Sequence, residues 1–144
     1  MHDPFNLARY VEAQDRGDSY KQALREIRDG AKRSHWIWWV FPQLRGLGGS
    51  PTSKEYSINS IDEARAYLQH PVLGPRLRDA IQAMIDHVGV SATAILQWDD
   101  VKFRSSLTLF MRAAPDEPLF HAAISQFFEG EPDAATDRLL KGHG

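Results

Sequence analysis

The sequence predicts an all-α fold: a single compact domain over residues 1–144, with about seven or eight short helices and one long Gly/Ser-rich loop. Three observations carry that expectation. Capping residues followed by apolar stripes at helical spacing recur along almost the whole chain. The one short apolar run that could be a strand, residues 35–41, has no second run to pair with. A chain of 144 residues with 42% hydrophobic and 25% charged residues has an ordinary globular composition. It is long enough to bury roughly two-thirds of its unfolded surface in one core.

The elements follow in order. Asp3 can cap a first helix with Pro4 at its first position, and Leu7, Tyr10, Val11 and Gln14 then share a face until Gly17. Ser19 and Gln22 have capping-box spacing, and Tyr20, Ala23, Leu24, Ile27 and Ala31 form the next stripe, with Arg25, Arg28 and Lys32 on the solvated side. Residues 35–41, ended by Pro42, are too few for periodicity to separate helix from strand, and their helical neighbours favour a short helix. Residues 44–59 read as the long loop, of a length that is uncommon in a compact domain and often functional. Ser60-Ile61-Asp62-Glu63 is a capping box opening a helix through Ala64, Tyr67 and Leu68, which His70-Pro71 ends. Pro75 opens a helix with a stripe of Leu77, Ile81, Met84, Ile85 and Val88, up to Gly89. Ser91 caps a short segment to Gln97, and Asp99 or Asp100 caps a longer helix to about Ala113. Pro115 and Pro118 frame a turn before a helix over 119–128, and Pro132 opens the last helix, which reaches Lys141.

Composition excludes several classes. A net charge of −2 gives no global attraction to a nucleic-acid polymer or an anionic membrane. No apolar stretch approaches the roughly 20 residues of a membrane span. The absence of cysteine removes disulfides, thiolate metal sites and Cys nucleophiles. The start, Met1-His2-Asp3-Pro4-Phe5, has neither part of a secretory signal. A cytoplasmic monomer or small homo-oligomer is expected. No two histidines show the i, i+4 spacing with an acid that zinc enzymes use, so no metal and no cofactor is implied.

Two segments carry candidate chemistry. Three of the four tryptophans lie within four residues, in Lys32-Arg33-Ser34-His35-Trp36-Ile37-Trp38-Trp39-Val40-Phe41-Pro42-Gln43. So dense a cluster anchors a core or walls a pocket. His35, alone among aromatics, has a pKa range suited to acid–base work, with Lys32 near enough to tune it; its plainer role is a core tether for the loop. Arg45-Gly46-Leu47-Gly48-Gly49-Ser50 lacks the phosphate-loop pattern, and its glycines serve a tight turn or a close backbone approach. Ser50, Ser53 and Tyr56 add hydroxyls nearby.

The second segment is the helix over 101–113. At about 100° per residue, Phe103, Leu107, Phe110, Met111 and Ala114 form a core face, while Arg104, Ser105, Thr108 and Arg112 fall on another side. Short hydroxyls are mediocre helix formers. They serve either the close approach of a neighbouring helix or a donor-rich surface of Lys102, Arg104, Ser105, Ser106 and Thr108, suited to phosphate or carboxylate. Asp99 and Asp100 stand in front and can pair with those cations instead.

The chain also resembles a bacterial family catalogued as domain of unknown function 1810. The residues that carry the resemblance are Gly30-Ala31-Lys32-Arg33-Ser34-His35-Trp36, Trp38, Phe41-Pro42-Gln43, Gly46-Leu47-Gly48, Ser50 and Tyr56. It continues through Glu63-Ala64-Arg65-Ala66-Tyr67-Leu68, His70-Pro71-Val72-Leu73-Gly74-Pro75-Arg76-Leu77, residues 100–102 and Arg104-Ser105-Ser106-Leu107-Thr108-Leu109-Phe110. Phe103 and Leu107 depart mildly from it, where an aliphatic residue and a methionine belong. The resemblance implies a mainly helical single domain and no established activity. Some members bear the label calpastatin, but calpastatin repeats are disordered and this chain has the apolar content of a folded domain.

The functional expectation is a pocket between the Trp-rich segment with its glycine loop and the polar face of the 101–113 helix. It would bind, or bind and hydrolyse, an anionic small molecule such as a nucleotide or an ADP-ribose derivative. His35 is the catalytic candidate. Lys32, Ser34, Trp36, Gln43, Gly48, Ser50, Tyr56, Lys102, Arg104, Ser105 and Ser106 are the ligand-binding candidates. The alternative is a non-catalytic protein-interaction module.

Overall fold

Helix boundaries in this chain follow its capping residues, prolines and glycines. The computed structural model describes residues 2–143. Its α-helices are α1 (Ala8–Asp15), α2 (Ser19–Asp29), α3 (Ile37–Val40), α4 (Pro51–Glu55), α5 (Ile61–Gln69), α6 (Leu73–Ile85), α7 (Ala92–Leu96), α8 (Asp100–Ala113), α9 (Pro118–Phe128) and α10 (Ala134–His143). Seven of these run for eight residues or more, and α3, α4 and α7 are little more than single turns. Among the described residues there is no strand, only one isolated parallel bridge between Leu44 and Ile58.

Several caps form as the sequence predicts. Asp3 accepts from the amides of Leu7 (2.8 Å) and Ala8 (3.1 Å), but α1 starts at Ala8, so Pro4 lies in the preceding turn and not at the first helical position. Ser60 Oγ accepts from Glu63 N and Ser91 Oγ from Ala94 N, each starting its helix. Others differ. Ser19 makes no side-chain cap for α2; its hydroxyl instead accepts the Trp39 indole N–H at 2.9 Å, and the turn enters α2 through Asp18 at φ 56°. Val88 leaves the α6 stripe because that helix ends at Ile85, and it is 84% exposed. The segment read as a long loop, 44–59, contains α4, with Pro51 in its first turn and Ser50 Oγ accepting from Ser53 N. Its two ends are clipped together, Arg45 N to Ile58 O and Ile58 N to Gln43 O, each 2.8 Å.

At the centre lies α8, packed against α5, α9 and α10, with α6 bracing α5 and α9 from outside. Aromatic rings tie the layers together. Trp36 meets Phe41, which meets Phe103 at 4.7 Å between centroids; Tyr10, Tyr67, Phe110 and Phe120 form a second chain of ring contacts. The polar arc of α8 is not a free surface. Ser105 and Thr108 are buried because α10 and the residues leading into it lie over them, and Ser106, off that arc, is buried too. Thr108 Oγ1 accepts from Asp133 N (2.8 Å), Arg104 Nε donates to Glu131 O (2.8 Å), and Arg112 makes a two-point pair with Asp137. The small hydroxyls therefore serve the close approach of a neighbouring helix. No helix among the described residues is long and apolar enough to cross a membrane.

The tightest approach in the core is at Gly74, in the first turn of α6. A Cβ there would sit 2.2 Å from Leu68 O at the end of α5, and that carbonyl also accepts from Arg78 Nη1. Backbone cannot yield as a side-chain tip does. Gly74→Ala is therefore expected to cost about 3 kcal/mol of stability, at the upper end of ordinary overpacking, as read by urea unfolding followed by circular dichroism. A change below about 0.5 kcal/mol would contradict the rigid α5–α6 junction.

Candidate functional site

The geometry begins one turn before the end of α2. Gly30, at φ 79°, terminates that helix and sends the chain back across it. The returning residues meet Glu26, whose side chain is only 2% exposed. Glu26 Oε1 accepts from Arg33 N (2.6 Å), Ser34 N (3.0 Å) and Trp36 Nε1 (3.0 Å). Its Oε2 accepts from Ser34 Oγ (2.6 Å) and Gln22 Nε2 (3.1 Å). Burial would raise the pKa of this carboxyl, but the Ser34 hydroxyl, the Arg33 amide, the Trp36 indole and the Ser34 amide outweigh it and bring it down to about 2. One carboxylate thus satisfies the buried indole N–H that the tryptophan run brings with it.

The same loop is fastened on its far side. Lys32 N donates to Ile95 O at 2.8 Å. That leaves the Lys32 ammonium 5.0 Å above the Trp36 ring, donating to Ser34 O and pairing with Asp99 Oδ2 at 2.9 Å. Asp99 Oδ1 takes a second lysine, Lys102, also at 2.9 Å, whose ammonium stands 5.1 Å from the Trp38 ring. Partial burial works against the charge of Asp99; hydrogen bonds from Lys102 and Lys32 overcome it and hold the carboxyl below its ordinary pKa. Two ammonium groups share one carboxylate, so the bridge carries one excess positive charge.

A recess opens beside each lysine. The first, about 440 Å³, is lined by Lys32, Arg33, Ser34, His35, Leu96, Gln97, Trp98 and Asp99. The second, about 380 Å³, lies between the end of the Trp-rich segment and α8, lined by Trp38, Gln43, Leu47, Gly48, Val101, Lys102, Ser105, Asp133 and Ala135. Both fall within the range of small-molecule sites. Of the sequence-predicted residues, Lys32, Ser34 and His35 meet in the first, and Gln43, Gly48, Lys102 and Ser105 in the second. His35 is exposed, and among the described residues its ring makes no hydrogen bond, so no carboxylate orients it. Ser105 Oγ donates to Val101 O (3.1 Å) and lies 3.4 Å from Asp133 Oδ2.

The remaining predicted residues lie elsewhere. Trp36 is 1% exposed and belongs to the core beneath Lys32. Ser50 is the α4 cap. Tyr56 is buried against Tyr10 and Trp39, beside a void of about 10 Å³, room for one water. Arg104 turns to Glu131 O and the Phe128 ring. Ser106 is fully enclosed, and its hydroxyl has no hydrogen-bond partner among the described residues. Gly48 earns its place sterically: a Cβ there would fall 2.6 Å from Ser53.

Sequence reasoning missed Trp98 and Asp133 as lining residues, and within the Trp-rich wall it singled out Trp36 where Trp38 lines the recess. Trp98 carried a usable signal, an isolated tryptophan among Gln97, Asp99 and Asp100 and outside any apolar stripe. Asp133 did too, since Asp133 and Thr136 stand at capping distance and do bond, Asp133 Oδ2 accepting from Thr136 N and Oγ1. Among the described residues no group of three or more His, Asp or Glu side chains is placed to hold a metal ion.

Comparison with known proteins adds a family and a fold. A family model described as "Protein of unknown function (DUF1810)" matches residues 4–140. No curated protein matches the chain. Among solved structures, that of the conserved hypothetical protein Rv1873 from Mycobacterium tuberculosis is similar at 45% identity and a TM-score of 0.92, covering 96% of this chain and 99% of that one.

The sign of the pH dependence at Glu26 follows from its lowered pKa. Its stabilisation is fully present above the unfolded value near 4.5 and is lost as pH falls through the folded value of about 2. Glu26→Gln should therefore cost about 3 kcal/mol at pH 7 and only about 1 kcal/mol at pH 2.5, as measured by denaturant unfolding of both proteins. A cost independent of pH would remove the carboxylate's charge from this role.

Proposed function

Since this chain belongs to the DUF1810 family, whose description carries no activity, we propose from its site alone that it binds a small anionic molecule of the nucleotide or ADP-ribose kind at the Lys32–Asp99–Lys102 bridge. The supporting observation is the bridge itself: two lysines, each over an indole and each opening on a recess, held by one carboxylate. A phosphate or carboxylate entering from either recess competes with Asp99 for the ammonium groups. Charge-assisted hydrogen bonds formed there, partly screened from water by Trp36 and Trp38, are the strong kind. The half-buried amide of Gln43 and the backbone of Gly48 supply directional contacts in the second recess, where Gly48 lets the chain approach closely.

Binding does not by itself imply turnover. His35 is the acid–base group beside the bridge, and any hydrolysis would run through it. It lacks the oriented carboxylate partner that activates such a group in many hydrolases, so the reading rests on recognition. A cytoplasmic monomer or small homo-oligomer remains our picture of the working protein. The second reading, a non-catalytic interaction module, is favoured by one observation: Trp98 and Val101 are 86% and 62% exposed on neighbouring turns.

Calorimetric titration with ADP-ribose, AMP and ATP tests the proposal. Lys102→Ala is expected to weaken the binding of at least one of these by about tenfold or more, the loss of one charge-assisted bond. Arg104→Ala should leave it unchanged, because Arg104 faces Glu131. Equal affinity of wild type and Lys102→Ala, or no binding of any of the three to wild type, would overturn it.

A further inference from the structure

Gln97 has φ 56° and ψ −135°, a region that glycine takes at the first corner of a type II′ turn and that a residue with a side chain enters only under strain. Its side-chain amide reaches back to Lys32 O at 3.4 Å. The strained residue immediately precedes Trp98. The other three indoles of the chain are wholly or partly buried and engaged: Trp36 with Glu26, Trp39 with Ser19, Trp38 beneath Lys102. Trp98 is 86% exposed, stands outside the core cluster and donates its N–H to nothing among the described residues. An indole left in water forfeits a large burial term. Here the backbone holds it out at the rim of the recess that contains Lys32, Ser34 and His35.

A flat aromatic face beside a cation and an imidazole is a receptor for a planar ring that carries an anionic group. A protein partner would need a patch of roughly 800 Å². The rim offers one indole over a polar recess of about 440 Å³, and the nearest other exposed apolar side chain, Val101, lines the second recess. We propose that Trp98 is the stacking platform for the ring of a two-part ligand whose anionic group sits on the Lys32–Asp99–Lys102 bridge. This rests on the anion-binding reading above and adds to it the residue that recognises the base, so that a nucleotide is held at two points where a sugar phosphate or a free phosphate is held at one. Gln97 is then a positioning residue that acts by aiming Trp98.

The test titrates wild type, Trp98→Ala, Trp98→Phe, Gln97→Gly and Lys102→Ala with AMP, ADP-ribose, ribose 5-phosphate and inorganic phosphate, by calorimetry and by intrinsic tryptophan fluorescence. AMP or ADP-ribose should quench the red-shifted emission of the exposed indole in wild type. Trp98→Ala should weaken that binding by about tenfold or more, as expected for loss of one base–aromatic stack. Trp98→Phe should restore most of the affinity. Ribose 5-phosphate and phosphate, which have no aromatic ring, should bind wild type and Trp98→Ala alike. Gln97→Gly should unfold at higher denaturant yet bind AMP more weakly. If Trp98→Ala binds AMP as wild type does while Lys102→Ala does not, the platform is refuted and the anion site stands. If ribose 5-phosphate loses as much as AMP, Trp98 is a structural post and the platform is again refuted. If wild type binds none of the four, the anion site and the platform fall together.

Discussion

The buried carboxylate of Glu26 is the fixed point from which the site hangs. Its five hydrogen bonds hold the backbone of Arg33 and Ser34, the Ser34 hydroxyl, the Trp36 indole and Gln22 in one arrangement. A charged group can stay buried only when its oxygens are so fully satisfied, and once satisfied it resists displacement. The loop that follows α2 therefore has little freedom. Lys32 emerges from it over Trp36, its amide pinned to Ile95 O, and meets Asp99 at the start of α8. The charge bridge between the loop and α8 is thus set by a structural anion that touches neither recess.

The centre of the fold imposes a second constraint. Because α8 is surrounded by α5, α9 and α10, the face of that helix that reads as polar in sequence is mostly spent on packing. Asp133 N donates to Thr108 Oγ1 and seats α10, and Arg104 and Arg112 fasten its approach. Only the first turn of α8 escapes this cover. Asp99, Val101 and Lys102 meet the recesses there, with the buried Ser105 one turn on at the floor of the second, and the site is confined to that end of the helix.

Much of the fold was legible in the sequence because it is written in local chemistry. Ser60, Ser91 and Pro118 each fix a helix start by contacts within a few residues, whereas the second helix, read on through Ala31 and Lys32, stops at Gly30. The capping box at Ser19 failed because Trp39, twenty residues away, takes the hydroxyl, and such a competition has no local mark. The loop over 44–59 was misjudged since Ser50-Pro51 starts a helical turn and the Leu44–Ile58 bridge closes the segment, a pairing too short to show as periodicity. The candidate site divides in the same way. Lys32, Ser34, His35, Gln43, Gly48, Lys102 and Ser105 line the two recesses, whereas Arg104, Ser106 and Trp36 are drawn off by α10, the core and Glu26. A helical wheel gives direction but not neighbours. Trp98 was passed over because exposure is decided by tertiary packing and, here, by the unusual backbone of Gln97.

On the proposed reading, the lysines sharing Asp99 form the centre of an anion site delivered by the Glu26-anchored loop. A crystal structure grown with ADP-ribose tests it most directly. The expected result is a phosphate oxygen within about 3 Å of the Nζ atoms of both Lys32 and Lys102, with the Asp99 carboxylate displaced from at least one of them and the Glu26 bonds intact. An intact Lys32–Asp99–Lys102 bridge with the ligand bound elsewhere on the surface would contradict it.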